Sequence, residues 1–281
     1  MTVMTPGRPT PTFSASALRV FDLSLGQMLW SRRSALLGVL LGGPVLLAAI
    51  LRIVWMFHAS SFQVNGAEAA GPAVFGMMMW LLYIRFIVPV LGVFYGTSLI
   101  ADEVDDKTIT YLFTRPIPRG AVLVGKYLAY VACTVLLVLP SVMLVFFLVV
   151  PTGGGSIGDA FPALLMDFAT LTLGLLAYGA LFALVGARLK RPLIIGLVFV
   201  LGWEPGALLL PGYLKRLSVA YYLQALVTHE MPQDSAIAVL LQVVREVPSI
   251  GASLTALAVV VAVTLWLAAR AVDRREFVLE Q

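Results

Sequence analysis

Only a few side chains in this sequence are of a kind that does chemistry, and many of them sit together between residues 99 and 120. That stretch holds four acids, Asp102, Glu103, Asp105 and Asp106, followed by Lys107, Thr108, Arg115 and Arg119. Val104, Ile109, Leu112 and Phe113 are spaced to give one apolar face, and Pro116 and Pro118 stop the helix. Carboxylates in its first turn would sit at the positive end of the helix dipole. A short amphipathic helix with a polar face in water suits being held by another protein. It equally suits a solvated loop helix resting on lipid headgroups.

Two further patterns resemble active-site motifs and fail on inspection. Gly120-Ala-Val-Leu-Val-Gly-Lys-Tyr127 has the GxxxxGK spacing but carries Tyr127 where Ser or Thr should bind Mg²⁺. It opens an apolar helix instead of following a strand, and a phosphate loop needs free backbone N–H groups at a strand-to-helix turn. Lys126 is expected at the headgroup boundary with its stem snorkelling. His229-Glu230 starts an HExxH pattern, but the second His position is Gln233, and His58 is the only other histidine. A histidine-based metal site has too few ligands. No nucleophile stands beside a base, so no catalytic residue, bound cofactor or metal is expected in this chain.

The two remaining charges of interest lie inside apolar runs. Arg85 is about twelve residues into one run and Glu204 about as far into another, which puts both roughly 18 Å deep at 1.5 Å per residue. An unpaired charge there costs at least about 2.5–3.5 kcal/mol, so a partner or a wet cavity is expected. Arg85 and Glu204 either meet, or line one cavity, or Glu204 is wetted where Pro205-Gly206 turns the helix back toward the outer face.

The elements that would position these groups follow from composition. The chain has 281 residues, of which 60% are hydrophobic and 12% charged, and its mean hydropathy is +0.96. Soluble domains carry roughly 25% charged residues. So apolar a chain reads as an all-α integral membrane protein. The net charge of +4 does not point to nucleic acid, because the bases flank apolar runs. The single cysteine, Cys133, falls inside such a run, which excludes an internal disulfide and suits core packing. No cleavable signal is apparent near the N-terminus.

Residues 1–12 read as a disordered tail and 13–32 as an amphipathic interfacial helix, with Leu18, Phe21, Leu25 and Leu29 on one face. Residues 33–270 form the transmembrane domain, with spans at about 34–57, 73–100, 122–150, 161–187, 192–210 and 248–269, and residues 271–281 form a tail. The fifth span is broken by Glu204-Pro205-Gly206. Fourteen of the nineteen Lys and Arg residues lie on one side of this arrangement and three on the other, with Arg52 and Arg85 inside spans. The positive-inside rule puts both termini and the acidic helix in the cytoplasm. Of the outer loops, 151–160 is Gly-rich, and 211–247 should form short helices at the headgroup level, given Tyr213, Tyr221 and Tyr222.

The run from Ile100 to Lys126, with its acids, Thr108, the pattern Leu112-Phe-Thr-Arg-Pro-Ile-Pro-Arg119 and the Gly125-Lys126 that opens the third span, resembles the cytoplasmic signature of type-2 ABC transporter permeases. Trp203-Glu204, Leu210-Pro-Gly-Tyr-Leu214, Leu217-Ser218 and Tyr222-Leu223 are similar to that family's outer region. Asp105 and Asp106 depart from its usual Arg/Glu-x-Gly-Thr spacing.

The resemblance implies a dimeric transmembrane subunit of an exporter in a bacterial-type cytoplasmic membrane, homo- or heterodimeric, each copy binding a separate ABC ATPase that holds ATP and Mg²⁺. Residues 13–32 would be an elbow helix. The acidic stretch would be the coupling helix, with Asp102, Glu103, Asp106, Thr108, Ile109, Leu112, Phe113 and Arg115 seated on the ATPase. Competing expectations are an ion-coupled carrier or channel using Arg85, Asp167 and Glu204, and a non-transporting assembly or sensory subunit on the same fold. Met77, Met78, Met79, Phe86 and Tyr95 either line a cavity for an amphiphile or pack against protein and lipid. The substrate is not specified by any of these residues.

Overall fold

With no water to satisfy them, the N–H and C=O groups of long charge-free runs must pair within the segment, so such runs become helices. The structure is a computed structural model that describes residues 12–30, 32–57, 63–64, 67–68, 71–105, 119–209, 212–227 and 248–274. Apart from a two-stranded ladder of Gln63–Val64 with Ala67–Glu68, every regular element among them is helical. In chain order these are α1 (Phe13–Leu29), α2 (Arg32–Phe57), α3 (Gly71–Ala101, continuing helically to Asp105), α4 (Arg119–Val149), α5 (Ile157–Arg188), α6 (Pro192–Ala207), α7 (Val219–Gln224) and α8 (Ile250–Arg274).

Five of these helices are long and apolar enough to cross a membrane: α2, α3, α4, α5 and α8. The fifth expected span, 192–210, corresponds to the shorter apolar helix α6.

Helix α6 is not broken at Glu204-Pro205-Gly206. It passes through that point as an α-helical stretch, Pro192–Val198, a π-helical turn, Phe199–Trp203, and a final α-helical stretch, Glu204–Leu209. Proline lacks an N–H and its ring collides with the carbonyl four residues back. The wide turn just before it places an extra residue in the ladder and takes up that collision. The same device recurs in α3, where the π-helical stretch Met79–Ile87 directly precedes Val88-Pro89. A second π turn in α3, Gly92–Gly96, has a different cause. A Cβ at Gly92 would lie 2.7 Å from the Cβ of Tyr178, and one at Gly96 would lie 2.9 Å from the Cβ of Phe182, so α3 and α5 touch nearly backbone to backbone.

The core lies among α3, α4 and α5. Tyr83, Ile84, Ile87 and Leu91 of α3, Tyr130, Val138 and Phe146 of α4, and Leu171, Leu175, Tyr178 and Phe182 of α5 are all buried there. Cys133 is buried in the same layer as a free thiol. Helices α2 and α8 pack on this core from outside, α2 on α4 and α8 on α5 and α4. Their remaining faces present Leu46, Ile50, Ile53, Val259 and Trp266 outward, the surface that lipid covers. Hydroxyls inside the bundle are returned to the backbone: Thr97 to Val93, Thr134 to Tyr130 and Thr172 to Phe168. One hydroxyl chain joins three helices, with Tyr83 Oη 2.8 Å from Ser141 Oγ, which donates to the carbonyl of Leu41 at 3.1 Å.

Three expectations change at the ends of these helices. Helix α1 lies along the start of α4 through its small residues, Ser16, Ala17 and Ser24, while Leu18 of the expected apolar stripe faces outward with Phe13 and Leu23. The cause is Gly125, where a Cβ would sit 2.5 Å from the carbonyl oxygen of Ala17. This close cover also buries Lys126, which interacts within the chain instead of extending into the headgroups. Asp102, Glu103 and Asp105 fall on the last turn of the helix Ser98–Asp105, not on a first turn. The helix dipole there is negative, so it does not favour them. At the other end of the bundle, Gly153 (φ 63°) and Gly154 (φ 77°) take the left-handed conformation that lets α4 turn into α5.

Candidate functional site

A polar cluster inside the bundle brings Arg85, Tyr178 and Glu204 together from three helices. Arg85 stands near the middle of α3, within the π-helical stretch, and is half-buried. Its guanidinium carbon lies 5.6 Å from the centre of the Trp80 ring, one turn back on the same helix, a cation–π contact. Tyr178, fully buried on α5, and Glu204, near the end of α6, complete the cluster.

The Glu204 carboxylate is held by the chain segment that follows α6. After a 3₁₀ turn, Gly212–Leu217, the chain re-enters the bundle as α7. Ser218 Oγ donates to Glu204 Oε2 at 2.5 Å, Val219 N to Oε1 at 3.2 Å and Ala220 N to Oε2 at 3.3 Å. Glu204 thus takes up N–H groups that the first turn of α7 would otherwise leave unsatisfied. Ser218 also accepts from the N–H of Tyr221 at 3.4 Å as the cap of that helix. The segment packs against the middle of α5. Leu223 packs against Gly174, halfway along α5, where a Cβ would meet its side chain at 3.1 Å, and Thr170 Oγ1 donates to the Leu226 carbonyl at 3.4 Å.

Arg85 and Glu204 do not form an ion pair; they attract each other at longer range, with Tyr178 in electrostatic reach of both. The Tyr178 hydroxyl lies close to Glu204 but makes no hydrogen bond of good geometry. The cluster therefore contains a carboxylate already supplied with three donors, a phenol close to that carboxylate and a guanidinium whose N–H groups meet no acceptor among the described residues. Such a group of residues can bind an anion or order water.

Among the described residues no group of three or more His, Cys, Asp and Glu side chains is placed to hold a metal. The GxxxxGK stretch lies in the first turns of α4, where its later N–H groups are spent within the helix. Of the five residues considered for an amphiphile cavity, Met78, Met79 and Tyr95 are core, while Met77 and Phe86 face outward from α3.

For the remaining predicted residues, Asp102 and Glu103 lie on the helical extension of α3, and only their backbone is described. Asp106, Thr108, Ile109, Leu112, Phe113 and Arg115 lie outside the described residues, as do His58, His229 and Glu230. Sequence reasoning missed Tyr178, Trp80 and Ser218. Ser218 carried the one usable signal, a serine directly before an apolar helical run, which is an N-cap pattern.

A comparison with curated proteins returned no match. A family model described as "ABC-2 family transporter protein" matches residues 24–275.

Proposed function

The chain belongs to the ABC-2 transporter family, and from that premise we propose that it is the transmembrane permease subunit of an ATP-binding-cassette exporter. Membrane subunits of this family are transport components that work with an ABC ATPase, and this chain is accordingly a multi-pass membrane protein. In the proposed assembly two copies of the permease, identical or paired with a homologue, meet in a bacterial-type cytoplasmic membrane, and each binds one ATPase that carries ATP and Mg²⁺. Helix α6 crosses as the fifth of six spans, α1 lies at the inner interface as the elbow, and both termini are cytoplasmic.

The observation that carries this reading is the family match across nearly the whole chain. The polar cluster supports it from the side of geometry. A half-buried arginine at mid-depth cannot face lipid at tolerable cost, so its side of α3 must open to water or to protein. An exporter needs such a face.

In operation, closure of the ATPase pair on ATP pushes on the loop between α3 and α4. The push travels along α3 and α4 and alternately opens the path to each side. Load is transmitted through packed apolar contact, so Ile109, Leu112 and Phe113 matter more than the acids beside them. The test is co-purification: the tagged protein, extracted in mild detergent, should bring down an ABC ATPase. Phe113→Asp should lose that partner and abolish transport-linked ATP hydrolysis while the permease stays in the membrane and folded. Full retention of the ATPase and of coupled hydrolysis by Phe113→Asp would overturn the coupling role. Absence of any ATPase from a folded preparation would favour a carrier or an assembly subunit.

A further inference from the structure

Arg85 carries a charge that no ion pair answers among the described residues, with Glu204 attracting it only at longer range. A guanidinium stays protonated and offers five N–H donors in a fixed fork. Among the described residues Arg85 has the Trp80 face beneath it and no hydrogen-bond acceptor. Glu204 already accepts from Ser218, Val219 and Ala220 and forms no ion pair with the guanidinium. Among the described residues, a second copy of this chain offers no free acid in the middle of a span either. Asp159 stands in the first turn of α5; deeper in the described spans the acids are Asp167 and Glu204, which are 1% and 4% exposed and already engaged within their own chain.

Tyr178 and Glu204 stand on one side of the guanidinium, and exposed apolar side chains flank Arg85 along α3. Leu81 and Phe86, its neighbours on α3, are 51% and 44% exposed, and Met77 shares their outward direction. A cation with an unfilled fork, set at mid-depth among exposed apolar side chains, is complementary to a molecule with an oxyanion at one end and a hydrocarbon body at the other. Carboxylate and phosphate groups fit the fork through two parallel N–H···O bonds. Trp80 holds the guanidinium from below, and Leu81 and Phe86 offer the hydrocarbon a surface.

We propose that Arg85, supported by Trp80 and flanked by Leu81 and Phe86, recognises the anionic headgroup of the exported molecule, and that the cargo is an anionic amphiphile. This rests on the permease reading for the word exported; the binding itself does not.

The experiment uses the full-length protein in non-ionic detergent, with a fluorescent polyene fatty acid and its methyl ester as probes. Titration should show the acid binding at least about tenfold more tightly than the ester, the worth of one charge-assisted hydrogen bond. Arg85→Gln should bring the acid down to the affinity of the ester while leaving ester binding unchanged, which also reports that the site is still folded. Arg85→Lys keeps the charge and loses the fork, and should fall between the two. Equal binding of acid and ester by the unaltered protein, or undiminished preference for the acid in Arg85→Gln, would overturn the proposal. The permease reading is tested separately by ATPase co-purification, which Arg85→Gln leaves intact. Acid preference without an ATPase partner would remove the exporter and keep the site.

Discussion

Glu204 shows how a single side chain can fasten a segment. Its carboxylate stands where the first turn of α7 has backbone donors to place, and it receives two of them together with the Ser218 hydroxyl. Replacing it with Ala leaves buried donors without an acceptor, a loss of about 1–3 kcal/mol. Glu204→Ala should therefore exchange the amide hydrogens of Val219 and Ala220 much faster than the unaltered protein, with Glu204→Gln in between because one carbonyl acceptor survives. Unchanged exchange at both amides would show that the cap does not hold α7. The charge of Glu204 was legible in the sequence, as was that of Arg85, because each interrupts an apolar run. Their partners were not. Ser218 is fourteen residues from Glu204 and Tyr178 sits on another helix, and only the return of the chain into the bundle brings them close.

Helix existence was the most legible feature, since charge-free runs longer than about 18 residues have few alternatives in a membrane. What the sequence concealed was how the helices absorb their irregularities. Pro205 reads as a breaker, yet a π turn carries α6 through it, because periodicity alone does not show where a ladder takes an extra residue. The face by which α1 packs on α4 was hidden for a related reason: in a membrane the closest packing uses small residues, here Ser16, Ala17 and Ser24. Glycines at the contact of α3 with α5 follow the same rule. A Cβ at Gly186 would lie 2.3 Å from the carbonyl oxygen of Thr97, which is backbone and cannot move aside, whereas one at Gly38 on α2 meets nothing within 4 Å. Gly186→Ala should lower thermal stability in detergent, with a loss of about 1–3 kcal/mol, and Gly38→Ala should not. Equal stability of the two variants would show that α3 and α5 separate easily.

At the scale of the molecule, the proposed topology requires α6 to reach the far side despite its length. The native thiol is buried and should stay silent, so introduced cysteines can report sidedness. Tyr213 and Lys190 bracket α6, and both are exposed. Tyr213→Cys should react with a membrane-impermeant maleimide in intact cells, and Lys190→Cys only after permeabilisation. Labelling of both under the same condition would mean that α6 does not cross. The distribution of wide turns has a last consequence. They occur in α3 and α6, which carry Arg85 and Glu204, while α4, α5 and α8 run without one among the described residues. Each wide turn stores one surplus residue, and moving that surplus along a helix swings the side chains it passes by about 100° for about 1.5 Å of length, with no need to melt the coil. In the proposed exporter α3 and α6 would be the two compliant struts of a stiffer frame, and a push of a few ångströms at one end would re-aim a side chain half a membrane away.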